Sequence, residues 1–219
     1  MKVISIDHYG GSSDLVLRDV TIPEITADQV LVRVEAAGVN HIDRLKASGV
    51  ISHVYPLVFP WIPGTDFSGT VVRVGELVRH IKPGDEVYGS VSGGGTYAEY
   101  LAVAATLVAK KPVALSHVEA AAIPMAAETA YQGLFCHGRL VAGQTVLILG
   151  AGGAVGTCAV QLASQAGVHV IALAAGVQAE ELLQLGATQV IDYETEDPFL
   201  YKRKVDVVFD LVGGDLQDR

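Results

Sequence analysis

The chain has 219 residues, a formal net charge of −9 and 24 acidic against 15 basic side chains, which argues against a nucleic-acid partner, because phosphate backbones are held by clustered Lys and Arg. Half the residues are hydrophobic and the mean hydropathy is +0.39, yet no apolar run approaches the ~18 residues of a membrane helix, so no membrane partner is expected. Two cysteines, Cys136 and Cys158, lack C-x-x-C spacing and suggest neither a disulfide framework nor a zinc ribbon.

The N-terminus, "MKVISIDHYGG", has no apolar stretch followed by a small-residue cleavage site, and a cytoplasmic protein is expected. Up to residue 115, short β-branched segments ("QVLVRVEAAGV", "GTVVRVG", "GDEVYGSV", "YAEYLAV") recur between Gly and Pro punctuation. That spacing predicts a small all-β barrel or sandwich over 1–115.

From Ser116 the pattern changes. Ser116 stands three residues before Glu119, a capping box, and opens the alanine-rich stretch interrupted by Pro124. Strand-like segments at about 145–149, 168–173, 189–193 and 205–211 then alternate with helical ones. This predicts βαβ units and a parallel sheet over 116–219. The basic run "KRK" at 202–204 reads as a solvated loop.

The first strand of that sheet runs into "GAGGAVG", residues 150–156. The spacing is Gly150-x-x-Gly153-x-x-Gly156, not G-x-G-x-x-G, since position 155 is Val155. Glycines here let the backbone turn tightly and leave free N–H groups at a helix N-terminus, which suits a phosphate. About 20 residues further on, where a NAD site places an acid for the adenosine ribose, the chain reads "VIALAAGVQ" without one. NADPH is therefore permitted, although no Lys or Arg follows that strand, and Glu180 and Glu181 lie nearby.

The motifs "AAGVNHID", "PWIPGTDFSGTVVRVG", "KPGDEVYG", "GGTYAEY", "AAIPMAAETAYQGL", "GAGGAVG", "LGATQVIDY" and "VFDLVGG" span the chain. Together they resemble the medium-chain dehydrogenase/reductase superfamily, in its zinc-free quinone oxidoreductase branch. The resemblance implies an α/β chain: a GroES-like β-barrel catalytic domain (1–115), then a Rossmann NADP-binding domain (116–219), with NADPH in the cleft between them. The reaction implied is hydride transfer to a quinone or activated alkene, the small-molecule substrate, by a homo-oligomer. An enoyl-thioester reductase and a non-catalytic NADPH-binding protein, crystallin-like or sensor-like, are the alternatives.

By resemblance Asn40 and Thr129 stand beside the nicotinamide and ribose as the catalytic residues, orienting rather than moving protons. The cofactor would further be held by Gly150, Gly153, Ala154, Val155, Gly156, Gly176 and Val212. Tyr193 in "VIDY" matches a tyrosine that reaches the 2′-phosphate in similar reductases. Zinc-dependent relatives carry a Cys where Asn40 stands, a His where Thr65 stands, and a third ligand near Met125; this chain has a zinc ligand at none of them, so no metal is expected. Asp43 is read as a helix-start or loop residue. Leu45 replaces a Tyr found in several quinone reductases, so an aromatic wall is expected to be lost. A doubly wound fold of this kind has six strands; with four counted, the nucleotide domain is expected to be C-terminally truncated, with an exposed fourth-strand edge prone to pairing with another chain.

Overall fold

A computed structural model of the chain describes residues 1–197 and 205–213; the basic run at 202–204 and the helix expected after Gly213 lie outside the described residues. The chain divides into two compact units, Met1–Met125 and Ala126–Arg219.

In the first unit β1 (Lys2–Ser5) pairs antiparallel with β2 (Val16–Asp19). Five further strands, β3 (Gln29–Ala37), β4 (Asp66–Val74), β5 (Glu86–Ser90), β6 (Tyr100–Ala104) and β7 (Val108–Lys110), form an antiparallel sheet in the order β6-β3-β4-β5-β7. Alternate residues of a strand face the same side. Val30 and Val32, Phe67 and Val71, Val87, Leu101 and Val103, and Val108 therefore point inward from all five strands and meet in one core. One apolar face shared by all five antiparallel strands accords with the barrel or sandwich expected from the sequence. Bridges from Val3 to Ala98 and from Ile6 to Trp61 tie the β1 segment to it.

Two short helices complete the unit: α1 (His41–Ala47), after β3, and α2 (His117–Ala121). The capping box forms, with Ser116 Oγ accepting the Glu119 N–H at 3.2 Å and Glu119 Oε2 accepting the Ser116 N–H at 2.8 Å. α2 packs on β3, β4 and β5, and His117 Nδ1 is hydrogen-bonded to the buried Ser68 Oγ at 2.8 Å. This packing explains why the first unit continues past the change of pattern at Ser116, to Met125.

Helix α3 (Pro124–Tyr131) starts on a proline, which needs no N–H partner there, and passes into six residues of π-helix, Gln132–His137. The rest of the second unit alternates β8 (Thr145–Leu149), α4 (Ala154–Gln165), β9 (His169–Ala174), α5 (Ala179–Gln184), β10 (Gln189–Asp192) and β11 (Val207–Asp210). The four strands are parallel in the order β10-β9-β8-β11. In strand count this is 3-2-1-4, the first part of the doubly wound order, and the fold is α/β as read from the sequence. Val146, Ile148, Val170 and Ala172 face one core with Leu134, Val160 and Leu182. Leu147, Leu149, Ile171, Leu173 and Ile191 form a second cluster. Burial on both faces accounts for strands written as continuous apolar runs.

Candidate functional site

In the first unit the residues of interest gather where α1 begins and β4 begins. Asn40 ends an extended segment and precedes α1; its backbone N–H is accepted by Asp43 Oδ2 at 2.9 Å, which holds the first turn. Its side chain points elsewhere, with Nδ2 donating to Asp66 Oδ2 at 2.9 Å. Asp66 Oδ1 accepts the backbone N–H of Met125 at 3.0 Å. Thr65 Oγ1 donates to Asp43 Oδ1 at 2.6 Å. Both carboxylates are buried, Asp43 at 5% exposed and Asp66 at 1%, and these donors offset the desolvation that a buried anion would otherwise suffer.

Thus the three positions that bind zinc in zinc-dependent relatives hold an amide committed to Asp66, a hydroxyl committed to Asp43, and a methionine whose N–H is committed to Asp66. Amide, hydroxyl and thioether do not make the set of His, Cys or carboxylate ligands that zinc requires, so the residues present do not fit that ion. Among the described residues no group of three or more His, Cys, Asp and Glu is arranged to hold a metal.

Lys46, three residues after Asp43, is also buried; Nζ donates to the Ser92 carbonyl at 2.7 Å and lies 5.0 Å from the Tyr55 ring centre. Burial pushes its ammonium below the usual lysine range, against the opposing pull of Asp43. Tyr97 donates its hydroxyl to Asp43 Oδ2 at 3.4 Å. Its phenol is pushed up to about 12, first by burial and then by the Asp43 charge, so it stays protonated at neutral pH. Beside this network is a cleft of about 370 Å³ lined by Leu15, Asn40, Asp43, Arg44, Pro63 and Tyr97 among others. Tyr97 places an aromatic ring in the cleft, in a unit where Leu45 had suggested that an aromatic wall was lost.

The second unit carries the glycine turn. Gly150 has φ +78°, and a side chain there would press on Val212 Cγ2 at 3.0 Å, which places Val212 against the turn. A Cβ on Gly156 would lie 2.4 Å from the Gly150 carbonyl oxygen and 2.6 Å from Ala151 Cα, so only glycine lets α4 approach its own turn this closely. The cap residue of α4, Gly153, has no side chain to bond the first N–H groups, which leaves those of Ala154, Val155 and Gly156 to an outside acceptor. The Gln178 carboxamide lies over Gly152, with Nε2 donating to its carbonyl at 3.1 Å.

Gly150, Gly153, Ala154, Val155, Gly156 and Val212 are therefore brought together at one turn. Gly176 follows β9 and Tyr193 follows β10, at the adjacent carboxyl ends of two parallel strands; Tyr193 is exposed. Thr129 lies on the exposed side of α3 in the second unit, whereas Asn40 belongs to the first. Sequence reasoning missed the pairing of Asp66 with Asn40, the Tyr97 contact, Gln178 and Asp192. Asp66, Tyr97 and Asp192 stand inside the motifs "PGTDF", "GGTYAEY" and "VIDY", but partners 26 and 54 residues away leave no local signal.

Comparison with known proteins gives two family matches: "Alcohol dehydrogenase GroES-like domain" over residues 26–113 and "Zinc-binding dehydrogenase" over residues 154–219. The second match excludes Asn40, Thr65 and Met125. The chain is 41% identical to a 2-methylene-furan-3-one reductase of Solanum lycopersicum, over 97% of this chain and 57% of that protein. It is 39% identical to an NADPH-dependent alkenal/one oxidoreductase, chloroplastic, of Arabidopsis thaliana, over 97% of this chain and 58% of that one. It spans less than two thirds of the length of these curated relatives. Among solved structures, the Escherichia coli quinone oxidoreductase complexed with NADPH aligns with a TM-score of 0.88 and 31% identity, over 100% of this chain and 68% of that one.

Proposed function

The chain belongs to the medium-chain dehydrogenase/reductase superfamily, in its zinc-free quinone oxidoreductase branch, and from that premise we propose that it is an NADPH-dependent reductase that acts on a quinone or an activated alkene without zinc. The observation that carries the proposal is the bare N-terminus of α4 behind Gly150, Gly153 and Gly156. Three N–H groups and the helix dipole suit a pyrophosphate. The E. coli neighbour, whose structure contains NADPH, supports the same cofactor.

The bound dinucleotide would supply the hydride. A conjugated acceptor needs hydrogen-bond donors for the charge that develops on its oxygen, and it needs orientation more than a Lewis acid. In the cleft of the first unit the Arg44 side chain is the donor at hand, because the protonated Tyr97 phenol gives its one hydrogen to Asp43. Asn40 has an orienting role: its amide cannot exchange a proton at neutral pH, and Nδ2 is already given to Asp66. Thr129 is assigned a positioning role toward the cofactor. A cytoplasmic homo-oligomer completes the reading; the two free cysteines fit a reducing compartment, and light scattering measures the assembly.

The test is a fluorescence titration with NADPH followed by oxidation assays with quinones, enones and enoyl thioesters. Turnover with quinones or enones supports the proposal. Turnover confined to thioesters would move it to the enoyl reductases, and tight binding without turnover would identify a cofactor-binding protein.

A further inference from the structure

The acid missing from the end of β9 is present in space, on the neighbouring strand. Asp192 closes β10 in register with Ala174, the last residue of β9. One carboxylate oxygen, Oδ2, lies 2.6 Å from where a Cβ on Gly176 would sit, so the group packs directly on the backbone where the chain leaves β9. The other, Oδ1, accepts the Glu194 N–H at 3.0 Å, and the Asp192 carbonyl accepts the N–H groups of Thr195 and Glu196 at 3.1 and 2.8 Å. These bonds hold the carboxylate at the mouth of the sheet. Among the described residues no Lys, Arg or His pairs with it, and Glu194 and Glu196 add negative charge on the same turn.

In a doubly wound fold the adenosine ribose is read at the carboxyl end of the second strand, by an acid that accepts from the 2′-hydroxyl and repels a 2′-phosphate. β9 is that strand. We infer that Asp192 is the residue that discriminates at the adenosine 2′ position, reading the ribose from the third strand and tempering the chain's preference for NADPH over NADH. Tyr193, the next residue, is the proposed 2′-phosphate contact, so two adjacent residues act in opposite directions: one phenolic donor favours the phosphate and one carboxylate opposes it.

The inference rests on the dinucleotide reading above, and its test separates the two. Dissociation constants for 2′,5′-ADP and 5′-AMP are measured by calorimetry on the parent chain and on Asp192→Asn. Asparagine keeps Oδ1 as the acceptor for Glu194, so the turn is preserved, and thermal melting of both forms checks this. Removing the carboxylate is expected to tighten 2′,5′-ADP about fivefold, equivalent to ~1 kcal/mol, and to weaken 5′-AMP, whose 2′-hydroxyl loses its acceptor. Raising the salt to about 1 M should close the gap between parent and variant for 2′,5′-ADP, since a charge effect is screened and a packing effect is not. An unchanged ratio of the two ligands, or an equal shift of both, overturns the role of Asp192 and leaves the dinucleotide site standing. Failure of the parent chain to bind either ligand overturns both.

Discussion

Thr65 Oγ1 and Asp43 Oδ1 are 2.6 Å apart, and both side chains are buried. A hydroxyl at the head of β4 thereby holds the carboxylate that fastens the first turn of α1. Hydrogen bonds to a buried charge contribute about 1.5–3 kcal/mol, more than neutral ones. Thr65→Val should lower the stability of the chain by about that amount, as a reduced urea midpoint at unchanged slope, and Thr65→Ser should recover most of it. A valine variant within about 0.5 kcal/mol of the parent would refute the account.

The Tyr97 phenol titrates at about 12 in the folded chain against 10.0 for the unperturbed group. A folded pKa above the unfolded one means that the native state holds the proton longer. The contribution to stability is complete below about pH 10 and is lost as pH rises toward about 12. Absorbance titration of the parent minus that of Tyr97→Phe should show one phenol with the raised midpoint, and the variant should lose stability less steeply above pH 10. A difference spectrum centred near 10 would contradict it.

With Asn40, Thr65 and Met125 engaged in hydrogen bonds around Asp43 and Asp66, reductase activity should survive exhaustive chelation, and elemental analysis should find zinc well below one ion per chain. Activity abolished by a chelator and restored by zinc would overturn the metal-free reading.

Two glycines of the same turn should respond differently to a single methyl group. At Gly156 a Cβ would meet backbone at 2.4 Å, whereas at Gly153 the nearest atom is an ordinary 3.5 Å away. Gly156→Ala should push α4 off its turn, costing about 1–3 kcal/mol and weakening NADPH binding at least about tenfold. Gly153→Ala should remain within about 1 kcal/mol of the parent, the scale of a helix-cap change. Equal effects from the two variants would show that the close approach at Gly156 is unimportant.

The parallel sheet was legible because each of its strands is an apolar run with a helix between, and all four appear within a residue or two of the expected bounds. The capping box at Ser116 and Glu119 was equally readable, being a pattern four residues long. The π-helix at 132–137 was not, since its residues carry no periodicity that separates it from α3. In the first unit the sequence motifs named Asn40 but not what it holds: Asp66 is 26 residues away and arrives through the pairing of β3 with β4. Asp192 was hidden for a similar reason. Searching one strand for an acid finds none in "VIALAAGVQ", and only the parallel register of β9 with β10 brings the carboxylate alongside.

The strand order β10-β9-β8-β11 also bears on how the second unit forms. β8, β9 and β10 follow one another in the chain, each beside the last, so their pairing closes short loops. β11 must instead cross back to the far side of β8, pairing Val207 with Val146, and the entropy of closing that longer loop delays it. The glycine turn sits at the end of β8, the strand shared by both events. Truncations of core side chains in β8 and β9 would therefore slow folding, while those in β11, with Val208 half exposed at the margin, would mostly hasten unfolding. The glycine turn thus belongs to the early, durable part of the sheet, and the wall that Val212 adds to it comes last and opens first.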